Sequence, residues 1–152
     1  MLCFFLSMTF SYCIQPEPIK TCTPIEYSVG PAIDFIAKFE GLALTAYQDT
    51  NGKYSIGYGT RSFEGEAITK NEAFARFSAI VRQSMHKVQK DFPCATQNEM
   101  VALTSVYYNC GSGYNRIKSE GLHVHKPGFC ELPGHSGLVK RREAERKLLF
   151  HD

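Results

Sequence analysis

The sequence predicts an α+β domain that is mainly α-helical and carries one small β-hairpin. Capping boxes mark the starts of two helices, at Thr69 with Glu72 and at Thr96 with Glu99. The dipeptide Asn51-Gly52 separates two short runs of strand-forming residues, which is a strong hairpin signal. The chain has 152 residues, 43% of them hydrophobic and 21% charged, and is therefore long enough for one domain with a buried core.

The charge balance limits the classes of partner. The formal net charge is +2, which is too weak to indicate nucleic-acid binding. A small positive excess would suit a polyanionic bacterial wall but carries little weight alone. The chain has no Cys-x-x-Cys pair, so we do not expect a structural zinc site.

Six cysteines are present, which would allow about 15 pairings if all were bridged. Cys110 falls on an apolar helix, so we interpret it as a small buried hydrophobe. Cys94 and Cys130 lie in loops beside Pro or Gly, and we expect them to form a bridge if the compartment is oxidising.

The N-terminal residues 1–24 are interpreted as an apolar segment and a linker ahead of a domain over residues 25–152. Residues 2–14 form an apolar run that is too short to span a membrane. Its length suits the core of a secretion signal, yet no Lys or Arg precedes it and no Ala-x-Ala site follows. A membrane or secretion contact, a wrongly assigned start codon and an N-terminal strand all stay open. Residues 15–24 contain three prolines and read as a linker.

A first helix is predicted over residues 31–40, with Pro31 in its first turn. Glu40 continues the apolar stripe of this helix, and Gly41 offers a left-handed stop after it. The stripe consists of Ile33, Ile36 and Ala37. We therefore expect Glu40 at the edge of the core, where apolar surroundings would raise the pKa of its carboxyl.

Asp49 is the second carboxylate of this region and contrasts with Glu40. It lies in a polar turn among Gln, Thr and Asn and is expected to stay ionised. Two carboxyls in contrasting surroundings are what glycoside hydrolysis requires, one as acid and the other as base or nucleophile.

The hairpin register decides whether Asp49 shares a face with Ser55. Strands are predicted over residues 44–49 and 54–59. A two-residue turn at Asn51-Gly52 would pair Asp49 with Tyr54 and send Ser55 to the opposite face. A three-residue turn would set Asp49 directly across from Ser55, and a catalytic role needs an arrangement of that kind.

Three further segments complete the prediction. A long helix over residues 70–91 is followed by Pro93, and its Phe and Met stripe is interpreted as core packing. A helix over residues 100–109 is apolar on most sides and should be central. A final amphipathic helix over residues 137–149 carries alternating Glu and Arg, typical of a solvated, salt-bridged face rather than a nucleic-acid site.

Residues 111–137 lack apolar periodicity and are expected to form a long loop that buries little. His123, His125 and His135 fall here. A His-x-His pair can chelate a metal, but exposed loop histidines are the favoured interpretation.

Residues 40–60 also resemble the phage-type lysozymes, the muramidases of glycoside hydrolase family 24. Their motif matches without a gap, apart from Ser55, where the family usually has Thr, and Thr60, where it usually has His. The matching positions are Glu40, Gly41, Leu44, Tyr47, Asp49, Gly52, Ile56, Gly57 and Gly59. Residues 102–111 and 137–145 resemble later family motifs. The stretch 111–137 is shorter than usual in the family, and the chain has no Trp.

This resemblance implies a two-lobe, lysozyme-like fold: a small hairpin lobe, a long linking helix and a helical C-terminal lobe. It implies hydrolysis of the β-1,4 bond between N-acetylmuramic acid and N-acetylglucosamine in peptidoglycan, without metal or cofactor. Glu40 would protonate the leaving oxygen, Asp49 would position or deprotonate water, and Ser55 would help to hold that water.

The remaining assignments follow from the same resemblance. Tyr47, Arg61, Tyr108 and Asn109 are expected to bind the substrate, and Arg142 is a candidate partner for a buried acid near the cleft. We expect a monomer that acts at the bacterial cell wall, in the periplasm or outside the cell.

Three alternatives stay open. A lytic transglycosylase would cleave the same bond with one Glu and no second acid, and Asp49 argues against it. A catalytically impaired wall-binding protein of this fold would need neither Glu40 nor Asp49. A secreted, disulfide-stapled interaction protein is the non-enzyme alternative, although a chain of this length does not need such staples.

Overall fold

A computed structural model describes residues 25–49, 51–120 and 136–150 of the chain. Within these residues the fold is α+β and mainly helical, as predicted. The helices are α1 (Gly30–Ala37), α2 (Lys70–Asp91), α3 (Gln97–Asn109), α4 (Gly111–Glu120) and α5 (Ser136–Phe150). The strands are β1 (Ala43–Gln48), β2 (Tyr54–Gly57) and β3 (Thr60–Arg61). The apolar segment 2–14 and the three loop histidines lie outside the described residues.

Helix α3 is the centre of the helical part, as its apolar sequence predicts. It packs against α1, α2, α4 and α5. Met100, Leu103 and Val106 are fully buried along it, and so are Thr104 and Ser105. A helix surrounded on all sides can bury polar side chains only if they find partners, and Thr104 Oγ1 donates to Met100 O at 2.7 Å.

Helix α2 links the small sheet to the helical part. Its capping box is present, with the Thr69 side chain accepting from Glu72 N at 3.2 Å. The predicted apolar stripe faces the core, except that Phe74 is half exposed. Because α2 contacts both β2 and α3, it connects both walls of any cleft between them.

The end of α1 departs from the prediction. The helix stops at Ala37, and Phe39 N then donates to Ile36 O at 3.0 Å in a turn. Gly41 is not among the glycines with positive φ, so it does not act as the left-handed stop. Glu40 therefore lies on the connection between α1 and β1 rather than on the last helical turn.

The sheet has order β1-β2-β3 and is antiparallel throughout. The strand predicted over residues 54–59 is divided into β2 and β3, because Gly57 and Gly59 both adopt positive φ and reverse the chain. Gly57 also packs closely on α2, where an added Cβ would lie 3.4 Å from the Ala73 Cβ.

Helix α4 corrects the expectation of a loop throughout residues 111–137. Tyr114 and Ile117 are fully buried one turn apart, and two apolar residues are enough to dock one face of a short helix. Tyr114 Oη donates to Asp91 Oδ2 at 2.6 Å, and Lys118 Nζ lies 2.8 Å from Asp91 Oδ1. These contacts attach α4 to the end of α2.

Two cysteines of the described part, Cys94 and Cys110, are disulfide-bonded. The interpretation of Cys110 as a free buried hydrophobe is therefore wrong. Cys94 is bridged as expected, and its pairing with Cys130 stays a prediction because Cys130 lies outside the described residues.

The described residues contain no helix that is both long and apolar enough to cross a lipid bilayer. They also contain no cluster of His, Cys, Asp and Glu side chains that would hold a metal ion.

Candidate active site

A cleft of about 560 Å³ lies where the sheet, α2 and the end of α3 meet. Glu40 is the one carboxylate among the described residues that line it. The other lining residues are Tyr58, Gly59, Thr60 and Arg61 from the sheet, Ile80, Gln83, Ser84 and Lys87 from α2, and Tyr107, Tyr108 and Asn109 from α3. Of the residues proposed from sequence, Glu40, Arg61, Tyr108 and Asn109 line the cleft.

Glu40 is held by an arginine from the far end of the chain. Arg141 Nη1 donates to Glu40 Oε1 at 2.7 Å, with the guanidinium almost fully buried and the Glu40 side chain 20% exposed. The expected apolar surroundings of Glu40 are therefore wrong, because a cation occupies the inner side of this carboxyl. The Arg141 guanidinium also lies 5.6 Å from the Phe39 ring centroid and 5.9 Å from that of Tyr108.

Arg141 belongs to a buried charged cluster on α5. Its Nε donates to Ser105 Oγ at 3.1 Å and to Glu145 Oε1 at 3.3 Å, and its Nη2 donates to Ser105 O at 3.2 Å. Glu145 is fully buried and also accepts from the Ser105 hydroxyl at 2.5 Å. The expectation of a solvated charged face on this helix is therefore wrong for these residues.

Arg142 does not pair with the cleft acid. Its Nη2 donates to Glu145 Oε1 at 2.8 Å and to Asn109 Oδ1 at 3.1 Å. Its Nε lies 2.8 Å from Glu145 Oε2 without the alignment of a hydrogen bond. Burial lowers the pKa of Arg142, and Glu145 counteracts that effect. The buried acid that Arg142 contacts is thus Glu145, while Glu40 belongs to Arg141.

The hairpin register differs from both options considered from sequence. Tyr47 pairs with Ser55 and Gln48 with Tyr54, and Asp49 N donates to Lys53 O at 2.8 Å. Gly52 adopts a φ of 75° in the resulting turn. Because side chains alternate, Asp49 lies on the same face as Tyr47 and therefore on the same face as Ser55, diagonally across the two strands. A third register therefore places Asp49 and Ser55 on one face of the sheet, as a catalytic role requires.

The surroundings of Asp49 favour its ionised form, which is the direction expected from sequence. Its Oδ1 accepts from Asn51 N and Lys53 N, each at 2.9 Å, and its Oδ2 lies 3.8 Å from Arg61 Nη1. The hydrogen bond from Lys53 N lowers the pKa of Asp49 most. The hydrogen bond from Asn51 N and the positive charge of Arg61 lower it further.

Three of the proposed residues form a row across the sheet. Ser55 of β2 pairs with Tyr47 of β1 on one side and with Arg61 of β3 on the other. Arg61 reaches the cleft, whereas Tyr47, Asp49 and Ser55 are not among the residues that line it. Arg61 thus connects this row to the cleft, and its ion pair brings Asp49 beside it.

Tyr108 and Asn109 end α3 at the cleft. Tyr108 Oη donates to Tyr58 O at 2.9 Å, and its ring packs edge-on against Phe77. Burial, with a smaller contribution from the nearby Glu40 carboxylate, raises the pKa of Tyr108 to about 12. Tyr108 is therefore both a core residue and part of the cleft wall.

Arg141, Ser105 and Glu145 were not among the residues expected at the site from sequence. A signal was available, because a glutamate four residues after one arginine and three after the next can reach both on one helix. Thr60, where the resembling family usually has His, is buried and donates from Oγ1 to Ile56 O at 2.8 Å across the β2–β3 turn.

Comparisons with known proteins add to this geometry. Residues 37–145 match the phage lysozyme family. The endolysin of Acyrthosiphon pisum secondary endosymbiont phage 1 is 31% identical over 136 residues, covering 74% of this chain and 90% of that protein. The endolysin of Bacillus phage PZA is 33% identical over 134 residues, covering 76% of this chain and 52% of that protein. The chain thus spans most of one relative and about half of the other.

Solved structures agree on the fold. The endolysin from Escherichia coli O157:H7 phage FAHEc1 superposes with a TM-score of 0.61 at 28% identity, covering 83% of this chain and 94% of that one. The active form of the P1 phage endolysin Lyz gives a TM-score of 0.65 at 21% identity, covering 80% and 84%. This second likeness concerns the fold alone.

Proposed function

The chain belongs to the phage lysozyme family and is a glycosidase that acts on the peptidoglycan of the bacterial cell wall, and from this premise we propose which bond it cuts and how. The bond is the β-1,4 linkage between N-acetylmuramic acid and N-acetylglucosamine. The observation that carries the proposal is Glu40, a carboxyl in the cleft wall held by Arg141 from behind.

Glu40 acts as the general acid. Arg141 contacts Oε1, so the proton that moves to the glycosidic oxygen is assigned to Oε2. When Glu40 loses this proton it becomes an anion beside a guanidinium, and this pairing stabilises the product of the proton transfer. The same guanidinium holds the carboxyl in one orientation, so that no rearrangement is needed at the moment of reaction.

Asp49 acts on the attacking water. Its Oδ1 is occupied by the two backbone N–H groups of the hairpin turn, so Oδ2 is the oxygen available to a water. Ser55 lies on the same face of the sheet and would donate or accept a hydrogen bond to that water. Arg61, near both Asp49 and the cleft, would place the water against the sugar bound there.

The cleft supplies groups suited to an N-acetyl sugar. Tyr108 presents an aromatic surface, and the Asn109 amide has its Oδ1 turned to Arg142, which leaves its N–H groups for a ligand carbonyl. Tyr47 does not line the cleft but is half exposed on the sheet, where it would contact a longer glycan chain. The enzyme works as a monomer over residues 25–152 and uses no cofactor in this proposal.

The test compares Glu40→Gln with Asp34→Asn in the full chain. Gln is nearly isosteric with Glu but cannot donate the proton, so clearing of a wall suspension should fall by about 10²–10⁴-fold. Asp34 is an exposed acid of α1 whose replacement removes the same charge outside the cleft. It should leave the rate unchanged. A Glu40→Gln enzyme within about tenfold of wild type would contradict the role of general acid.

A lytic transglycosylase is the second candidate, because Asp49 is not among the residues that line the cleft. Such an enzyme needs one acid, and Asp49 would then only hold the hairpin turn. Asp49→Asn keeps the Oδ1 acceptor and so keeps the turn. Mass spectrometry of the wild-type products decides: free reducing ends support hydrolysis, while anhydro-muramyl ends together with an active Asp49→Asn variant support the transglycosylase.

A further inference from the structure

Four charged side chains form one continuous cluster behind the cleft. Glu40, Arg141, Glu145 and Arg142 follow one another in space, with Oε1 of Glu145 accepting from both guanidinium groups. Their formal charges cancel. Only Glu40 reaches the cleft, whereas Glu145 is fully buried and Arg141 almost so.

We propose that Glu145 is a positioning residue for the catalytic acid: it fixes the Arg141 guanidinium and offsets its charge, so that Glu40 can hold the proton that it donates. This inference rests on the proposed function of Glu40 and extends it to a residue that contacts neither the cleft nor the substrate.

Positioning follows from the contacts of Arg141. Its Nε donates to both Glu145 Oε1 and Ser105 Oγ, and its Nη2 donates to Ser105 O. Helices α3 and α5 thus fix the plane of the guanidinium. Its Nη1 is then directed at Glu40. Without Glu145 the Nε side would lose its anion, and the guanidinium could turn about the contacts that remain.

Charge compensation follows from burial. Charges in a poorly solvated interior interact more strongly than at the surface. An uncompensated guanidinium next to Glu40 would favour the carboxylate and leave too little of the acid form for catalysis. Glu145 counters this effect, because two guanidinium groups and a hydroxyl donate to its carboxylate and favour its charged form.

Within the described residues, few groups contact this cluster. Arg141 and Arg142 face Glu145 from α5, and Ser105 faces it from α3. Across Arg141 lie Glu40 and the Tyr108 ring. Burial raises the pKa of Glu145, and both arginines and the Ser105 hydroxyl counteract the rise. Buried ion pairs are often no better for stability than apolar residues of the same volume, so stability alone does not account for this cluster.

The experiment measures kcat and KM against pH for the full chain on a soluble glycan substrate. Glu145→Gln keeps the shape but removes the negative charge. The alkaline limb, which is the decline of kcat/KM on the alkaline side of the pH profile, should then move to lower pH by about one unit. KM should change less than about twofold. Arg142→Gln removes a positive charge from the same cluster, and the limb should move to higher pH. Glu145→Asp restores the charge and should return the limb toward wild type.

Glu66→Gln is the matched control, because Glu66 pairs with Arg76 at 2.8 Å outside the cleft. It should leave the pH profile unchanged. Thermal unfolding identifies which variants are folded. If Glu145→Gln does not fold, Arg142→Gln still tests the inference, because its alkaline limb should move to higher pH. Unchanged profiles in the folded variants, or equal profiles for Asp and Gln at position 145, would overturn the inference. An active Glu40→Gln enzyme would instead overturn the proposed function.

Discussion

Arg141 Nη1 contacts Glu40 Oε1 at 2.7 Å although the two residues are 101 positions apart in the sequence. The cleft acid thus depends on the last described helix for its orientation. Arg141 also contacts Ser105 and Glu145, so each of its three nitrogens has a partner. The guanidinium fork, rather than positive charge alone, is what this arrangement requires.

Arg141→Lys tests that requirement. Lysine keeps the charge but lacks the planar fork, so several of these partners would be left without a donor. We expect the free energy of unfolding to fall by about 2–4 kcal/mol, since breaking a buried pair costs about 3–5 kcal/mol and lysine retains part of it. Urea unfolding measures the change, and wall clearing should fall as well.

The control for this variant is Arg76→Lys, at a partly exposed ion pair with Glu66. Exposed pairs contribute about 0–1 kcal/mol, so the change in unfolding free energy should stay below about 1 kcal/mol. Equal losses for the two variants would show that the fork at Arg141 has no special role.

Ser55→Thr and Ser55→Val form a matched pair. The two new side chains have nearly the same shape, and Ser55 is mostly buried, so both meet the same steric environment. Only Thr keeps the hydroxyl. If that hydroxyl holds the attacking water, Ser55→Thr should stay within about threefold of wild type and Ser55→Val should lose about tenfold or more. Equal rates of wall clearing would remove Ser55 from the mechanism.

Tyr108→Phe should alter stability at alkaline pH. The pKa of Tyr108 is raised to about 12 in the folded protein, against about 10 when unfolded. The neutral phenol therefore stabilises the fold fully below about pH 10, and that contribution is lost as the pH rises toward about 12. Phenylalanine does not titrate, so the stability advantage of wild type over the variant should shrink over this window and then reverse.

Urea unfolding at several pH values checks the sign of this effect. At pH 8 the variant should be less stable by about 0.5–1.5 kcal/mol, because the hydrogen bond to Tyr58 O is missing. A wild-type stability advantage that grows between pH 10 and pH 12 would contradict the prediction.

The stereochemistry of the first product tests the role of Asp49. An inverting enzyme leaves about 6.5–9.5 Å between its carboxyl groups for a water, and a retaining one about 5–5.5 Å for direct attack. Asp49 comes from a hairpin turn and Glu40 from the connection between α1 and β1, and we predict the wider, inverting case. Proton NMR of fresh product from a defined oligosaccharide should show the α-anomer first. A β-anomer, or a sugar ester on Asp49, would show direct attack instead.

Local sequence signals predicted those elements whose causes are local. The capping boxes at Thr69 and Thr96 placed the starts of α2 and α3, and Asn51-Gly52 placed the hairpin. Helix α4 was missed because its periodic signal consists of little more than Tyr114 and Ile117. Its other support, Asp91, comes from the end of α2 and is not visible in the local pattern.

The candidate site was predictable as a set of residues but not as an arrangement. Glu40 reached the cleft as expected, yet its surroundings were wrong because Arg141 is distant in sequence. The two registers considered for the hairpin paired Asp49 with Tyr54 or with Ser55. In the structure Asp49 is instead hydrogen-bonded to Lys53. The spacing on α5 lets Glu145 reach both guanidinium groups, but it does not show whether that face of the helix meets water or the core.

The span between Glu40 and Arg141 has a consequence for synthesis. A ribosome completes Glu40 early, while the residue that anchors it belongs to the last described helix. Contacts so distant in sequence form late, because the intervening chain must first be ordered. A nascent or truncated chain that lacks α5 would carry the acid without its anchor, so the lytic site would be assembled only when nearly the whole domain has been translated.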